Sequence, residues 1–501
     1  MERRRKEKSP ERVDERPYIM DEGRTLNGPV EIVTVAGGMM LLALAVGFVV
    51  GFLVFLVMNL STWLTDLVWG GYLKGTVEIS LFPLIVCTAG GLVIGLWTFF
   101  TDNQVEPLEK VMGGFKQTGT YGIDPVKGTV SFLLPLVFGG SIGFEAGLTG
   151  IITAACCWIR DRLKAAGLRA AAVADVTISA CLSAIFGTPL VGIVAGAESS
   201  PDDGEAELME APDVNAYNMR RPAKIVLYTS AAFGAFAGIR VCSAVFDASA
   251  GFPRFDAVTA GGTQLLWVFV AIAVAYVMTL VYHGTQYLAR NIAARTGDSA
   301  LGVIGRPLAA GFIIGLLAIA FPYVLFPGET QSHMLMESWG TWTAVALIAT
   351  GMLKAFATPL CINWGWVGGN FCPSIFAGAA CGYGIAMVTG ADPALMVTVV
   401  VTAFLAGVVR KPVLTIAILL LCFPLESVIW CGLAAIVGAA LPIPTLLLGA
   451  SDEGAPRQRK RRKSPRREEP EREEDAAWDE GAALPDEDVR RPRRPREGRT
   501  R

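Results

Sequence analysis

From Ile32 to Leu60 the chain runs without a single charged side chain, further than the ~20 residues an α-helix needs to cross the hydrocarbon of a bilayer. Backbone N–H and C=O groups in hydrocarbon have no water to bond, so the run is expected to be a membrane helix, tilted because it is long. A second run spans Ile79 to Phe100, and the second half of the chain supplies Ile225 to Phe246, Leu265 to Leu288, Leu301 to Leu325, Trp342 to Phe356, Gly369 to Val388, Ala394 to Val409, Pro412 to Pro424 and Val428 to Leu448. With 52% hydrophobic and 18% charged residues and a mean hydropathy of +0.48, the expectation is an all-α polytopic membrane protein.

Charge is segregated along the chain. Residues 1–30 and 451–501 hold 8 and 16 of the 43 basic residues. Three regions are therefore expected: a disordered N-terminal tail over 1–30, a transmembrane domain over 31–450 with halves 31–221 and 222–450, and a disordered charged tail over 451–501. Both tails mix acids with bases, so no nucleic-acid partner is expected, while the lipid bilayer is. The cluster from Arg457 to Arg467 suggests a cytoplasmic C-terminus by the positive-inside rule. The ten cysteines show no paired C-x-x-C spacing, and His283 and His333 are the only histidines, so neither a metal site nor a cofactor is expected.

Within the apolar region the stretch Gly139 to Gly150 sets one carboxylate, Glu145, among glycines. An acid at membrane depth is costly and marks an ion path or a proton relay. Around it lie short segments that glycine or proline interrupts, Gly128 to Ile142, Gly143 to Ile159 and Val173 to Ala197, followed by a polar loop from Glu198 to Arg221. Gly143-Phe144-Glu145-Ala146-Gly147 leads, 44 residues after Glu145, to a helix start at Pro189. Gly369-Asn370-Phe371-Cys372-Pro373 leads, 41 residues after Phe371, to another at Pro412. Interrupted segments at corresponding positions of two halves point to a midplane binding site in a transporter.

A helix that begins inside the bilayer leaves its first N–H groups without intrahelical partners, and an anion can satisfy them. Glycines let the backbone approach the ion closely, although they also serve helix packing in any membrane bundle. The Glu145 carboxylate carries the charge of a transported anion and could occupy the same N–H donors; protonated, it would leave and open the path. A helix-capping glutamate with no part in transport is the plainer alternative.

At these residues the chain resembles the CLC family of chloride channels and chloride/proton antiporters. Lys354, Thr358 and Gly368-Gly369-Asn370-Phe371-Cys372-Pro373 look like the family's K-x-x-x-T run leading into G-G-x-F-x-P. Gly143-Phe144-Glu145-Ala146-Gly147 is similar to G-[RK]-E-G-P with the glutamate kept, and Phe186 to Ile193 with Glu198 follows the F-x-x-P-[LF]-x-G-[IV] helix and the acid after it. The resemblance implies a CLC-like inverted-repeat bundle of tilted, partly discontinuous helices, a homodimer with one pore per subunit, Glu145 as gate, and Gly143, Phe144, Gly369, Asn370 and Phe371 around the anion. Glu198 stands on the implied proton path.

Besides Phe144, Ala146 and Gly147, which replace the basic residue, glycine and proline of G-[RK]-E-G-P, three further positions depart from the family. Where members carry G-S-G-I-P this chain reads Asn103-Gln104-Val105-Glu106-Pro107, so Gln104 stands at the anion-coordinating serine. The pore tyrosine has no counterpart in Pro442 to Leu446, and Ser199 replaces the internal glutamate of antiporters. The expected function is transport of chloride or a similar small anion, by passive conduction or with protons as a second partner. A fluoride-exporting relative is the alternative within the class. Outside it stand a transport-dead scaffold and an intramembrane enzyme, but no H-E-x-x-H motif or Ser/His pair supports an enzyme. The absence of paired regulatory domains after residue 450 suggests a prokaryotic plasma membrane, with both tails cytoplasmic.

Overall fold

The computed structural model describes residues 19–20, 24–25, 29–73, 80–101, 125–145, 147–148, 150, 152, 179–185, 188–199, 221–246, 254–259, 264–297, 299–366, 368–420 and 422–448. The chain divides into two units, 1–452 and 453–501, and every described residue belongs to the first. Inside the N-terminal tail, Ile19–Met20 pairs antiparallel with Arg24–Thr25.

The rest is helical. In order the helices are α1 (Pro29–Leu73), α2 (Phe82–Thr101), α3 (Pro125–Val137), α4 (Pro189–Ser199), α5 (Arg221–Phe246), α6 (Leu265–Thr296) and α7 (Ala300–Ala320), then α8 (Glu329–Ser338), α9 (Ala344–Asn363), α10 (Phe371–Thr389), α11 (Pro393–Val409), α12 (Pro412–Leu419), α13 (Val428–Ala440) and α14 (Thr445–Leu448). Among the described residues seven helices are long and apolar enough to cross a membrane, and Val126–Val137, Pro393–Val409 and Leu425–Ala440 are shorter apolar helices. Large apolar side chains such as Leu67, Phe100, Phe269 and Ile429 face outward, as lipid rather than water requires.

Several segments differ from the sequence expectation. The first helix is longer at both ends than Ile32 to Leu60. The stretch Val173 to Ala197 is not one segment, because helix 179–185 ends before Thr188 and α4 starts afresh at Pro189, whose ring cannot continue a helix hydrogen-bond ladder. Val428 to Leu448 likewise divides into α13 and α14 around Pro442 and Pro444. Helix α8 has no apolar run to announce it.

Two glycine-lined crossings join the first half to the second. In α1, a Cβ at Gly47 or Gly51 would collide with the carbonyls of Ala231 or Ala235 on α5; Gly234 and Gly238 of α5 lie as closely against Leu44 and Phe48. The same four-residue spacing recurs where Gly91 and Gly95 of α2 meet α7, which returns Gly311 and Gly315. Without a hydrophobic drive between helices in lipid, close backbone approach supplies the packing energy. At the centre lies α10, buried from Phe371 through Ala386, with α9 on one side and α11, buried from Ala394 through Val408, on the other.

Candidate functional site

Two chain reversals of the same design lead into the site. Helix α3 ends at Val137, whose carbonyl accepts the Trp69 indole N–H at 2.8 Å, and Gly139 then takes a positive φ of 85°. Helix α9 ends at Asn363, Gly365 takes a φ of 91°, and the Trp366 indole N–H bonds the Pro307 carbonyl at 2.8 Å. Left-handed backbone suits glycine, and each reversal delivers a second glycine four residues on, Gly143 and Gly369. These two meet: Gly143 N–H donates to the Gly369 carbonyl at 2.7 Å and Gly369 N–H to the Gly143 carbonyl at 2.6 Å, an isolated antiparallel bridge.

Immediately after each bridge residue a helix begins. Glu145 is helical, with the Leu148 N–H bonding the Phe144 carbonyl at 3.1 Å, and α10 starts at Phe371. The Glu145 side chain is wholly buried, and its Oε1 accepts the Cys372 backbone N–H at 2.7 Å. Its Oε2 lies against both bridge glycines, where a Cβ on either would collide with it. The carboxylate of one glycine-rich start thus occupies the N-terminus of the other, where unpaired N–H groups and the helix dipole favour negative charge.

A buried polar chain braces the arrangement. Ser141 Oγ is 3.3 Å from Thr358 Oγ1, which donates to the Lys354 carbonyl at 3.0 Å one turn back on α9. Lys354 is fully buried, and its ammonium donates to the carbonyls of Tyr323, Val324, Leu325 and Phe326 at 2.9 to 3.2 Å while lying 4.9 Å from the centre of the Phe376 ring. Glu145 and Lys354 are both buried, and α10 touches each: Cys372 holds the acid and Phe376 faces the cation.

Of the residues singled out from sequence, Gly143, Phe144, Glu145, Gly369, Asn370 and Phe371 come together here, Phe144 and Phe371 both buried. The N–H groups of Gly143 and Gly369 are engaged in the bridge, so these glycines hold the two starts together in this state and do not present their amides to an anion. Gln104 lies outside the described residues. The backbone of Glu198 and Ser199 forms the last turn of α4, and their side chains lie outside the described residues.

Two participants escaped sequence reasoning. The Cys372 N–H could have been anticipated as one of the first amides of α10. Tyr282, 88 residues from Asn370, could not: its hydroxyl accepts the Asn370 side-chain N–H at 3.4 Å, and its ring stands edge-on to His283 and Phe404. Eight cysteines in the described residues are buried, as small apolar residues are.

The chain matches the family model described as "Voltage gated chloride channel" over residues 110–442, a span that holds both glycine-rich starts and begins after Gln104. No curated protein matches the chain. Among solved structures, the fold is similar to that of a slow cyanobacterial Cl-/H+ antiporter, with a TM-score of 0.62 and 16% identity over 82% of this chain and 96% of that one. It is also similar to a CLC-type fluoride/proton antiporter, with a TM-score of 0.58 and 15% identity over 82% of this chain and 96% of that one. At such identities the likeness is one of fold.

Proposed function

The chain belongs to the voltage gated chloride channel family, whose work is anion transport across membranes, and from that premise we propose that Glu145 is the gate of its anion path. One observation carries this reading: a fully buried carboxylate accepts the Cys372 N–H at the start of α10, where a transported anion would find the same donors. Protonation removes the charge that this N–H and the helix dipole hold, the side chain leaves, and an anion takes its place. Phe144, Asn370 and Phe371 contribute around the anion, and Gly143 and Gly369 hold the two helix starts in register. By their motif positions in the sequence, Gln104 takes the place of the family's anion-coordinating serine and Glu198 that of the acid on the proton path.

The same premise supports a homodimer with one path per subunit, and the basic cluster from Arg457 to Arg467 supports a cytoplasmic C-terminal tail. Proton coupling is the natural companion of a titrating gate, and both similar solved structures are titled antiporters, one for chloride and one for fluoride. The deciding experiment is anion efflux from proteoliposomes with a simultaneous proton readout, on the parent and on Glu145→Gln. Uphill proton movement driven by a chloride gradient in the parent, absent from the variant, supports exchange; its absence from both leaves passive conduction. A fluoride electrode in the same assay tells a fluoride exporter from a chloride one. Flux at the level of empty vesicles, unchanged by the substitution, overturns the gate reading.

A further inference from the structure

The start of α10 is short of backbone donors. Pro373 carries no N–H, and the Ser374 N–H is taken by the Asn370 carbonyl at 3.2 Å, so two of the first four residues offer the Glu145 carboxylate nothing from the main chain. Between its phenylalanine and its proline the pattern G-G-x-F-x-P leaves a position open, and this chain fills it with a thiol, Cys372.

Cys372 meets the gate carboxylate twice. Its backbone N–H donates to Glu145 Oε1 at 2.7 Å, and its fully buried side chain donates a second hydrogen bond to the same carboxylate. A thiol is a weak donor in water. Its bond strengthens when the acceptor is charged and the surroundings exclude water, and it weakens again once the carboxylate takes up a proton.

We propose that the Cys372 thiol is a positioning donor for the gate, a second hold on ionised Glu145 that sets how acidic the medium must become before the side chain leaves. Among the described residues, the other titratable or charged groups around this pair are Glu329 at the start of α8, Cys422 before α13, and Lys354 with Cys361 on α9, with Tyr282 of α6 reaching Asn370; α11 presents none from Pro393 to Val409. Parent and thiol variants share all of them, so a difference between their pH profiles belongs to position 372.

This role rests on Glu145 being the gate, and one set of measurements separates the two. Chloride efflux from proteoliposomes is followed as pH is varied on both sides together, for the parent, Cys372→Ala, Cys372→Ser and Glu145→Gln. The thiol favours the ionised carboxylate, so protonation comes more easily without it: Cys372→Ala should move the half-maximal pH to the alkaline side by about half a unit to one unit, and Cys372→Ser, which keeps a donor, should return most of the shift. A Cys372→Ala profile equal to the parent's overturns the proposal while a flat Glu145→Gln profile keeps the gate. A Cys372→Ser profile displaced as far as that of Cys372→Ala overturns it too, because packing then accounts for both. If Cys372→Ala does not fold, Cys372→Val, close to the thiol in shape and without its donor, takes its place in each comparison. Infrared spectra add a readout that needs no flux: the S–H stretching band lost in Cys372→Ala should shift in the parent as pH falls through the efflux midpoint, and in Glu145→Gln it should stay still. A parent band indifferent to pH overturns the donor role. A Glu145→Gln efflux profile that still follows the parent's removes the gate and the donor together.

Discussion

Gly143 and Gly369 exchange two backbone hydrogen bonds, N–H to carbonyl in each direction, at 2.7 and 2.6 Å. This bridge joins the two glycine-rich helix starts and leaves the Glu145 carboxylate lodged against both glycines.

Chloride efflux should rise as pH falls. The Cys372 N–H and the dipole of α10 hold the ionised carboxylate in place, whereas the neutral acid has less claim on that position. Glu145→Gln is neutral at every pH, so its efflux should be flat and near the acid limit of the parent, read with a chloride electrode.

A methyl group at position 369 has no room. Gly369→Ala should displace the Glu145 carboxylate, because the new Cβ and Oε2 would claim the same space. Overpacking of this kind costs about 1 to 3 kcal/mol, so the protein should still fold, with a lower melting temperature in detergent. Its efflux should lose most of its pH dependence and approach that of Glu145→Gln.

Lys354→Met should be the most damaging substitution of this group. It leaves the carbonyls of residues 323 to 326 without their cation inside the bundle. Hydrogen bonds to a charged group are worth about 1.5 to 3 kcal/mol each in net terms, so a stability loss of about 3 kcal/mol or more is expected. Gel filtration after heating measures it, and saturating chloride should not restore it.

Tyr282→Phe tests the contact that sequence did not foresee. Losing the hydroxyl that accepts from Asn370 removes about 1 kcal/mol of restraint on the first residues of α10. The relative efflux of chloride and fluoride should change by about fivefold while the melting temperature barely moves. An unchanged ratio would limit Tyr282 to packing.

The long helices and the two glycine-rich starts were legible because each leaves a local mark, an uncharged apolar run or a glycine cluster beside an acid. The kinship of the starts was also legible, since Glu145 and Phe371 each follow the second glycine by two residues. That the glycines bond each other was not, because no local pattern encodes contact between Gly143 and Gly369. Helix α8 escaped for a different reason: its sequence from Glu329 to Ser338 is polar and resembles a loop, and its burial at Ser332 and Leu335 comes from packing on α10. Lys354 was recognisable as part of a motif, yet its four carbonyl partners lie in a turn that only the tertiary fold brings near.

The crossing of α1 with α5 bears on how the protein is made. Gly47 and Gly51 reach the membrane well before Gly234 and Gly238 have been synthesised, so α1 must wait with its glycine face against lipid or another partner. Assembly of the site is then a late event in translation, governed by the arrival of α5, α7 and α10 rather than by completion of the first half. A chain halted near residue 221 should be inserted yet unassembled, exposed to membrane proteases that the full-length protein resists.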